Sequence, residues 1–166
     1  MYTMEVALVD RYVTIEILDT AGIDEFPVMR RLAIARGHAF LIVYAVNNAC
    51  SFEIAQQMRQ LVLEIKNDLE KTSIPMVIVG NKCDITEREI TRDYAETIVR
   101  EHWKENYIET TCRDRQTVFD AFHQLLNLAN INLALNSDFT RRSSDPNLFV
   151  QQEQRSTNKR QSCAQQ

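Results

Sequence analysis

The sequence predicts an α/β domain built on a doubly wound sheet. Two short β-branched runs, residues 39–46 and 75–80, are apolar without alternation, which is typical of strands covered on both faces of a parallel sheet. Between and after these runs, apolar residues recur every three or four positions, as on one face of an amphipathic helix. Strands that alternate with such helices indicate a sheet with helices packed on both sides.

The amino-terminal part of the chain predicts a hairpin followed by a loop. Residues 4–9 and 12–19 alternate between apolar and polar side chains, which indicates two antiparallel strands. Residues 24–36 are polar, irregularly patterned and broken by Pro27, which suits a mobile loop leading to a short helix.

Three amphipathic helices are expected to cover the sheet, and each has a hydroxyl side chain as its expected N-cap: Ser51, Thr91 and Thr117. The last strand is expected at residues 107–110. From about residue 136 the periodicity stops and Ser, Asn, Gln and Arg dominate. We therefore expect one folded domain over residues 1–135 and a disordered polar tail over residues 136–166.

Composition narrows the class of protein. A net charge of −4 gives no reason to expect nucleic-acid binding. The four cysteines show no zinc-type spacing, which favours a reduced, cytosolic setting. No run approaches the ~20 apolar residues of a membrane span, so the predicted location is the cytoplasm.

A polar loop follows the strand at residues 75–80. Gly80 permits a turn, and Asn81, Lys82 and Asp84 then stand at the carboxyl end of the strand, where parallel sheets bind ligands. An Asp carboxylate accepts two parallel N–H bonds, which matches the N1–H and amino edge of guanine and mismatches adenine. The loop predicts a guanine site; the alternative for this pattern alone is an ordinary turn between a strand and a helix.

Three further motifs accompany this loop: Asp19-Thr20-Ala21-Gly22, Phe26-Pro27-Val28-Met29-Arg30-Arg31-Leu32 and Glu109-Thr110-Thr111-Cys112. Together with Asn81-Lys82-Cys83-Asp84, they make the chain similar to the Ras family of small GTPases over about residues 1–135. The Phe26–Leu32 stretch and Gly37-His38-Ala39-Phe40 most resemble the Di-Ras and Rhes-like branch. The resemblance implies the P-loop NTPase fold and a GTP/GDP-binding switch in signal transduction.

The resemblance also implies how guanine would bind. Asn81 and Asp84 would contact the base, and Lys82 would pack along it. Backbone N–H groups of Thr111 and Cys112 would face the guanine carbonyl. The family usually has Ser-Ala-Lys where this chain has Thr-Cys-Arg, so the role of that Lys does not carry over.

On the phosphate side, the resemblance assigns fewer residues. Asp19 would hold a water bound to Mg²⁺, and the Gly22 N–H would face the terminal phosphate. The 166 residues contain three glycines and no G-x-x-x-x-G-K-S/T loop. Ile23 stands where the family usually has a Gln that orients the attacking water, so we expect slow hydrolysis and assign no catalytic residue. Residues 23–36 would be the switch segment that meets effector or regulator proteins.

Set against the family pattern, Met1 falls just past the first switch loop. The first strand of that fold would lie in mid-sheet, between the strands at 12–19 and 39–47, so its absence predicts an open gap or a new pairing, and marginal stability. We therefore expect weak nucleotide binding by these residues alone. Two alternatives remain: a non-catalytic module that binds partners through the switch segment or the open sheet edge, and a coding sequence that starts upstream of Met1.

The carboxyl terminus predicts a lipid attachment. Cys163-Ala164-Gln165-Gln166 has the C-a-a-X outline with Gln last, as in farnesylated chains. Arg155, Lys159 and Arg160 would add attraction to anionic lipid. The expectation is association with the plasma membrane through Cys163, and the alternative is an unmodified tail.

Overall fold

The computed structural model describes residues 2–7, 12–20, 27–67 and 74–131. The chain divides into two units, Met1–Leu135 and Asn136–Gln166, and every described residue belongs to the first. The tail predicted at residues 136–166 lies outside the described residues and stays a prediction.

Strands and helices alternate as expected along the described residues. In chain order they are β1 (Tyr2–Ala7), β2 (Tyr12–Ile17), α1 (Pro27–Arg36), β3 (Phe40–Ala45), α2 (Ala49–Asn67), β4 (Met76–Asn81), α3 (Arg92–Thr97) with a π-helical turn at Ile98–His102, β5 (Asn106–Thr110) and α4 (Arg115–Leu128). The α/β class is therefore confirmed.

The predicted hairpin is present as a two-stranded sheet. Strands β1 and β2 pair antiparallel, with Tyr2 opposite Ile17 and Ala7 opposite Tyr12. The predicted turn at Asp10 and Arg11 lies outside the described residues.

The second sheet is parallel and has the order β3-β4-β5. Its central strand β4 is buried from Met76 to Gly80, and Val77 and Ile78 have no exposed surface. Side chains of successive strand residues point to opposite faces, so a strand buried at every position has cover on both sides. The continuous apolar pattern of residues 75–80 therefore identified the centre of the sheet.

The helices supply that cover in two layers. On one face, Ile42 and Ile78 pack in a core with Val62 of α2 and Val99 of the π-helical turn. On the other face, Val77 and Val79 pack with Ala121 and Leu125 of α4. This arrangement is the doubly wound order that the sequence predicts.

Strand β3 has an open outer edge. The two sheets are separate, so β2 does not pair with β3 among the described residues. The N–H groups of Phe40 and Val46 donate towards the β4 side, which turns those of Leu41 and Val43 to the opposite edge. The Val43 residue is 55% exposed. The expected new pairing of these two strands is therefore not present in the described part of the chain, and the expected gap stays a prediction.

Two of the three expected N-caps are wrong. Helix α2 begins at Ala49, and Asn48 caps it, because its Oδ1 accepts the Ser51 N–H at 2.9 Å. The Ser51 hydroxyl instead accepts the N–H of Ala45, the last residue of β3, at 3.0 Å. Asp114, rather than Thr117, caps α4.

The predicted cap at Thr91 is confirmed, and a short helix is present at Pro27–Arg36, within the segment where one was predicted. The Thr91 hydroxyl accepts the Tyr94 N–H at 3.4 Å at the start of α3. Helix α1 begins at Pro27 itself, where a missing N–H and a fixed φ are tolerated. The predicted mobile loop therefore does not extend beyond Pro27, and residues 21–26 lie outside the described part of the chain.

The Asn48 cap generates a testable prediction. Asn48→Ala should lower the free energy of unfolding by about 1 kcal/mol, because the Ser51 N–H loses its side-chain acceptor at the first turn of α2 and keeps only the longer bond to the Asn48 carbonyl. Urea denaturation followed by circular dichroism measures this change. The exposed mid-helix change Gln57→Ala is the control and should stay within about 0.5 kcal/mol of the native chain. Equal stabilities for the two variants would contradict the assignment of the cap.

Candidate functional site

The polar loop lies where strands β4 and β5 end. Lys82 has φ 64°, a left-handed conformation that turns the chain sharply after Asn81. The Asn81 carbonyl accepts the Val46 N–H at 3.0 Å, and the Cys83 N–H donates to the Thr110 carbonyl at 3.1 Å. These two bonds attach the loop to the ends of β3 and β5.

Asp84 presents its carboxylate at the mouth of this loop, with 24% of the side chain exposed. The Thr111 hydroxyl donates to its Oδ1 at 2.6 Å, and the Arg113 Nε lies 3.2 Å from its Oδ2. The hydroxyl bond, helped by the Arg113 charge, holds the pKa of the Asp84 carboxyl below its ordinary value. The group is therefore an ionised acceptor at neutral pH.

Asn81 is oriented by a neighbouring hydroxyl. The Thr110 Oγ1 donates to the Asn81 Oδ1 at 3.3 Å, and Thr110 is itself buried. The Asn81 amide hydrogens have no acceptor among the described residues, so they are free to meet an acceptor on a ligand. Lys82 is exposed next to this amide.

In the turn after β5, the backbone N–H groups of Thr111 and Cys112 differ in whether they already have an acceptor. The Thr111 N–H donates to the Thr117 hydroxyl at 3.1 Å, so it is already occupied. The Cys112 N–H has no acceptor among the described residues, and Cys112 is exposed. Of the two donors expected to face a carbonyl, the Cys112 group is the one left available.

A partly buried ion pair supports the polar loop. Arg88 donates to both carboxylate oxygens of Glu109, at 2.7 and 3.0 Å, and to the Cys83 carbonyl at 3.0 Å. Burial raises the pKa of the Glu109 carboxyl, but the bonds from Arg88 and Tyr107 outweigh this effect and hold the pKa below its ordinary value. The pair thus joins the loop to β5.

Two tyrosines extend this network into the core. Tyr107 Oη donates to Glu109 Oε1 at 3.0 Å and lies 2.9 Å from Tyr44 Oη. Tyr107 has one hydroxyl hydrogen, so Tyr44 must be the donor between the two phenols. A Cβ at Gly80 would lie 2.9 Å from Tyr107 Oη and 3.0 Å from Tyr44 Oη, so a larger residue at position 80 would displace these hydroxyls.

The structure therefore assembles most of the predicted base-site residues. Asn81, Lys82, Asp84, Thr111 and Cys112 lie together at the carboxyl ends of β4 and β5.

The residues expected to bind phosphate and Mg²⁺ are less complete. Asp19 lies exposed just after β2, and Gly22 and Ile23 lie outside the described residues, as does Cys163. No group of three His, Cys, Asp or Glu side chains in the described residues can hold a metal ion. A single carboxylate does not make a magnesium site.

The sequence reasoning missed the roles of Arg88, Glu109, Tyr107 and Tyr44. One signal was available, since a tyrosine in a buried strand needs a partner for its hydroxyl. The contact between Arg88 and Glu109 joins residues 21 positions apart, and nothing in the spacing indicates it.

These features define an α/β protein with a polar loop, Asn81-Lys82-Cys83-Asp84, at the carboxyl ends of parallel strands. The sequence of residues 1–131 matches the family model named Ras family, so the chain belongs to the Ras family.

Similar proteins include the GTP-binding protein Di-Ras1 of Homo sapiens, 39% identical over 75% of this chain and 62% of its own length. The GTP-binding protein Di-Ras2 of Macaca fascicularis and of Mus musculus is 41% identical over 69% of this chain and 57% of its own. The predicted Di-Ras branch is confirmed, and the chain spans less than two thirds of the length of these relatives.

The Arg88–Glu109 pair predicts a specific response to acid. Glu109→Gln should cost about 2 kcal/mol at neutral pH, because a partly buried guanidinium loses its charge partner. The pKa of Glu109 is lowered in the folded chain, so its stabilisation is complete above the unfolded pKa and disappears as the pH falls through the folded value. The native chain should therefore lose more stability than Glu109→Gln as the pH falls from about 6 to 3.

Urea unfolding at each pH measures this difference. Glu64→Gln is the matched control, because its pair with Arg31 is more than half exposed at both side chains (53% and 55%). Parallel pH profiles for the native chain and Glu109→Gln would contradict the prediction.

Proposed function

We propose that this chain forms the base-reading part of a guanine-nucleotide switch, a small GTPase that binds GTP and GDP in signal transduction. The observation that carries the proposal is the ionised carboxylate of Asp84, held at the mouth of the loop beside the free amide hydrogens of Asn81 and the free N–H of Cys112. Membership of the Ras family supports the same conclusion.

The chemistry of these three groups suits guanine. Its N1–H and amino group are two donors for the Asp84 carboxylate, its carbonyl is an acceptor for the Cys112 N–H, and its ring nitrogen is an acceptor for Asn81. Adenine presents an unprotonated ring nitrogen to the carboxylate, which places two acceptors face to face. Lys82, exposed next to Asn81, can cover the face of the base with its aliphatic stem.

Asp19 and Gly22 would serve the terminal phosphate and Mg²⁺, and Ile23 cannot orient a water by hydrogen bonding. Association also opposes the base contacts by ~4–15 kcal/mol. We therefore expect millimolar affinity for the base alone and slow hydrolysis wherever a complete phosphate site is present.

One observation favours a second candidate, a non-catalytic module that binds partners. The outer edge of β3 presents the backbone groups of Leu41 and Val43, and edge strands pair with strands of other chains. Residues 23–36, of which helix α1 is described, would be the other contact surface for effector or regulator proteins. Helix α1 exposes Val28 at 78% and Met29 at 56% of their surfaces.

The base-site proposal is tested by binding. The chain should give guanosine-dependent shifts of the Cys83 and Asp84 amides in nuclear magnetic resonance spectra, and adenosine should not. Asp84→Ala should weaken guanosine binding at least about tenfold, because two hydrogen bonds to an ionised acceptor are lost.

Asp93→Ala is the matched control, since Asp93 is an exposed carboxylate at the start of α3, away from the loop. It should bind guanosine like the native chain. Equal shifts with adenosine, or unchanged binding by Asp84→Ala, would reject the base site and leave the binding module as the better candidate.

We also propose a cytoplasmic location with attachment to the plasma membrane through a prenyl group on Cys163. No described helix is long and apolar enough to cross a membrane. Incubation with a farnesyl donor and farnesyltransferase should raise the mass of the chain by one farnesyl group, and Cys163→Ser should abolish the change. Cys50→Ser is the control and should leave the modification intact.

A further inference from the structure

Arg113 makes an unusual contact with the candidate base site. Its Nε lies 3.2 Å from Asp84 Oδ2, although 83% of the arginine side chain is exposed. The Arg113 backbone is fixed nearby, because its N–H donates at 3.2 Å to the Thr111 hydroxyl that also bonds Asp84. The backbone contact therefore keeps the guanidinium within reach of the carboxylate.

Both carboxylate oxygens of Asp84 consequently have partners before any base arrives. Thr111 is buried, and its hydroxyl donates a short hydrogen bond of 2.6 Å to Oδ1. Arg113 is an exposed side chain that contacts Oδ2, the second oxygen that a base would use. A base that donates to both oxygens can share Oδ1 with the Thr111 hydroxyl, because a carboxylate oxygen accepts more than one hydrogen bond. At Oδ2 the base must replace Arg113 or weaken its contact.

We propose that Arg113 competes with the base for Asp84 and so limits the affinity of the site for guanine. In the nucleotide-free chain, the guanidinium is the counter-ion of the base-reading carboxylate. Guanine then binds by exchange, in which one of its two N–H donors replaces the Arg113 donor at Oδ2 and the other shares Oδ1 with Thr111. This inference deepens the proposed function and rests on it.

The exchange has a distinctive dependence on salt. An exposed ion pair weakens as ionic strength rises, whereas hydrogen bonds from neutral guanosine to Asp84 are much less affected. Salt should therefore remove the competitor more than it affects the ligand. If Arg113 instead assisted binding through its charge, salt would weaken the affinity for guanosine. A rise in guanosine affinity with salt therefore indicates that Arg113 competes with the base.

The test is a guanosine titration of the 166-residue chain, with affinities taken from the initial slopes of the Cys83 and Asp84 amide shifts at about 50 and 300 mM NaCl. Arg113→Ala should bind guanosine about two- to fivefold more tightly than the native chain at low salt, the range expected for an exposed pair. The difference should largely disappear at high salt. Arg115→Ala removes the same charge from an exposed position two residues away and should behave like the native chain.

A second measurement examines the ion pair without any ligand. The pKa of the Asp84 carboxyl, followed by its ¹³C shift, should rise in Arg113→Ala and stay unchanged in Arg115→Ala. An unchanged pKa in Arg113→Ala would overturn the proposal, because the pair would then be absent in solution. Equal or weaker guanosine binding by Arg113→Ala would overturn it too, since Arg113 would then be neutral or helpful.

Failure of the proposed function gives a different result. If guanosine moves neither amide in the native chain, in Arg113→Ala or in Asp84→Ala at either salt concentration, the base site itself is rejected together with the competition. If the native chain and Arg113→Ala bind equally and Asp84→Ala does not, the base site stands and the role of Arg113 alone is rejected.

Discussion

The ion pair between Arg88 and Glu109 is the interaction on which the candidate site depends. Glu109 belongs to β5, and Arg88 follows the polar loop after β4, so the pair adds a side-chain connection to the backbone bond from the Cys83 N–H to the Thr110 carbonyl. The same guanidinium holds the Cys83 carbonyl. Because Arg88 offers several donors in a rigid plane, it can satisfy the carboxylate with two bonds and still orient the loop.

This pair also explains the polar network inside the sheet. An isolated carboxylate at Glu109 would be costly to bury, and it is compensated by donors from Arg88 and Tyr107. Tyr107 then accepts from Tyr44, so the phenols satisfy one another in the core. Burial raises the pKa of both phenols, which keeps them protonated as donors. The absence of a side chain at Gly80 leaves the space in which they meet.

The base site and the open edge of β3 lie on different parts of the same sheet. The site is formed by β4, β5 and the loops that follow them, and its hydrogen bonds come from Thr110, Thr111 and Arg88. None of these bonds uses the outer edge of β3, where Val43 is exposed. Substitutions in the polar loop and at the outer edge of β3 should therefore act separately.

Local patterns in the sequence determined the α/β class, the hairpin, the central strand and the base loop. Each depends on short-range periodicity or on a motif of four residues, as at residues 75–84. Short-range patterns placed the N-caps of α2 and α4 wrongly, at the hydroxyls of Ser51 and Thr117. Both hydroxyls bond to other backbone groups in the fold, and Asn48 and Asp114 take the caps. Only the tertiary structure decided which donors reach Asp84 and Glu109, because Thr111 and Arg88 meet them across strands, 27 and 21 residues away in the chain.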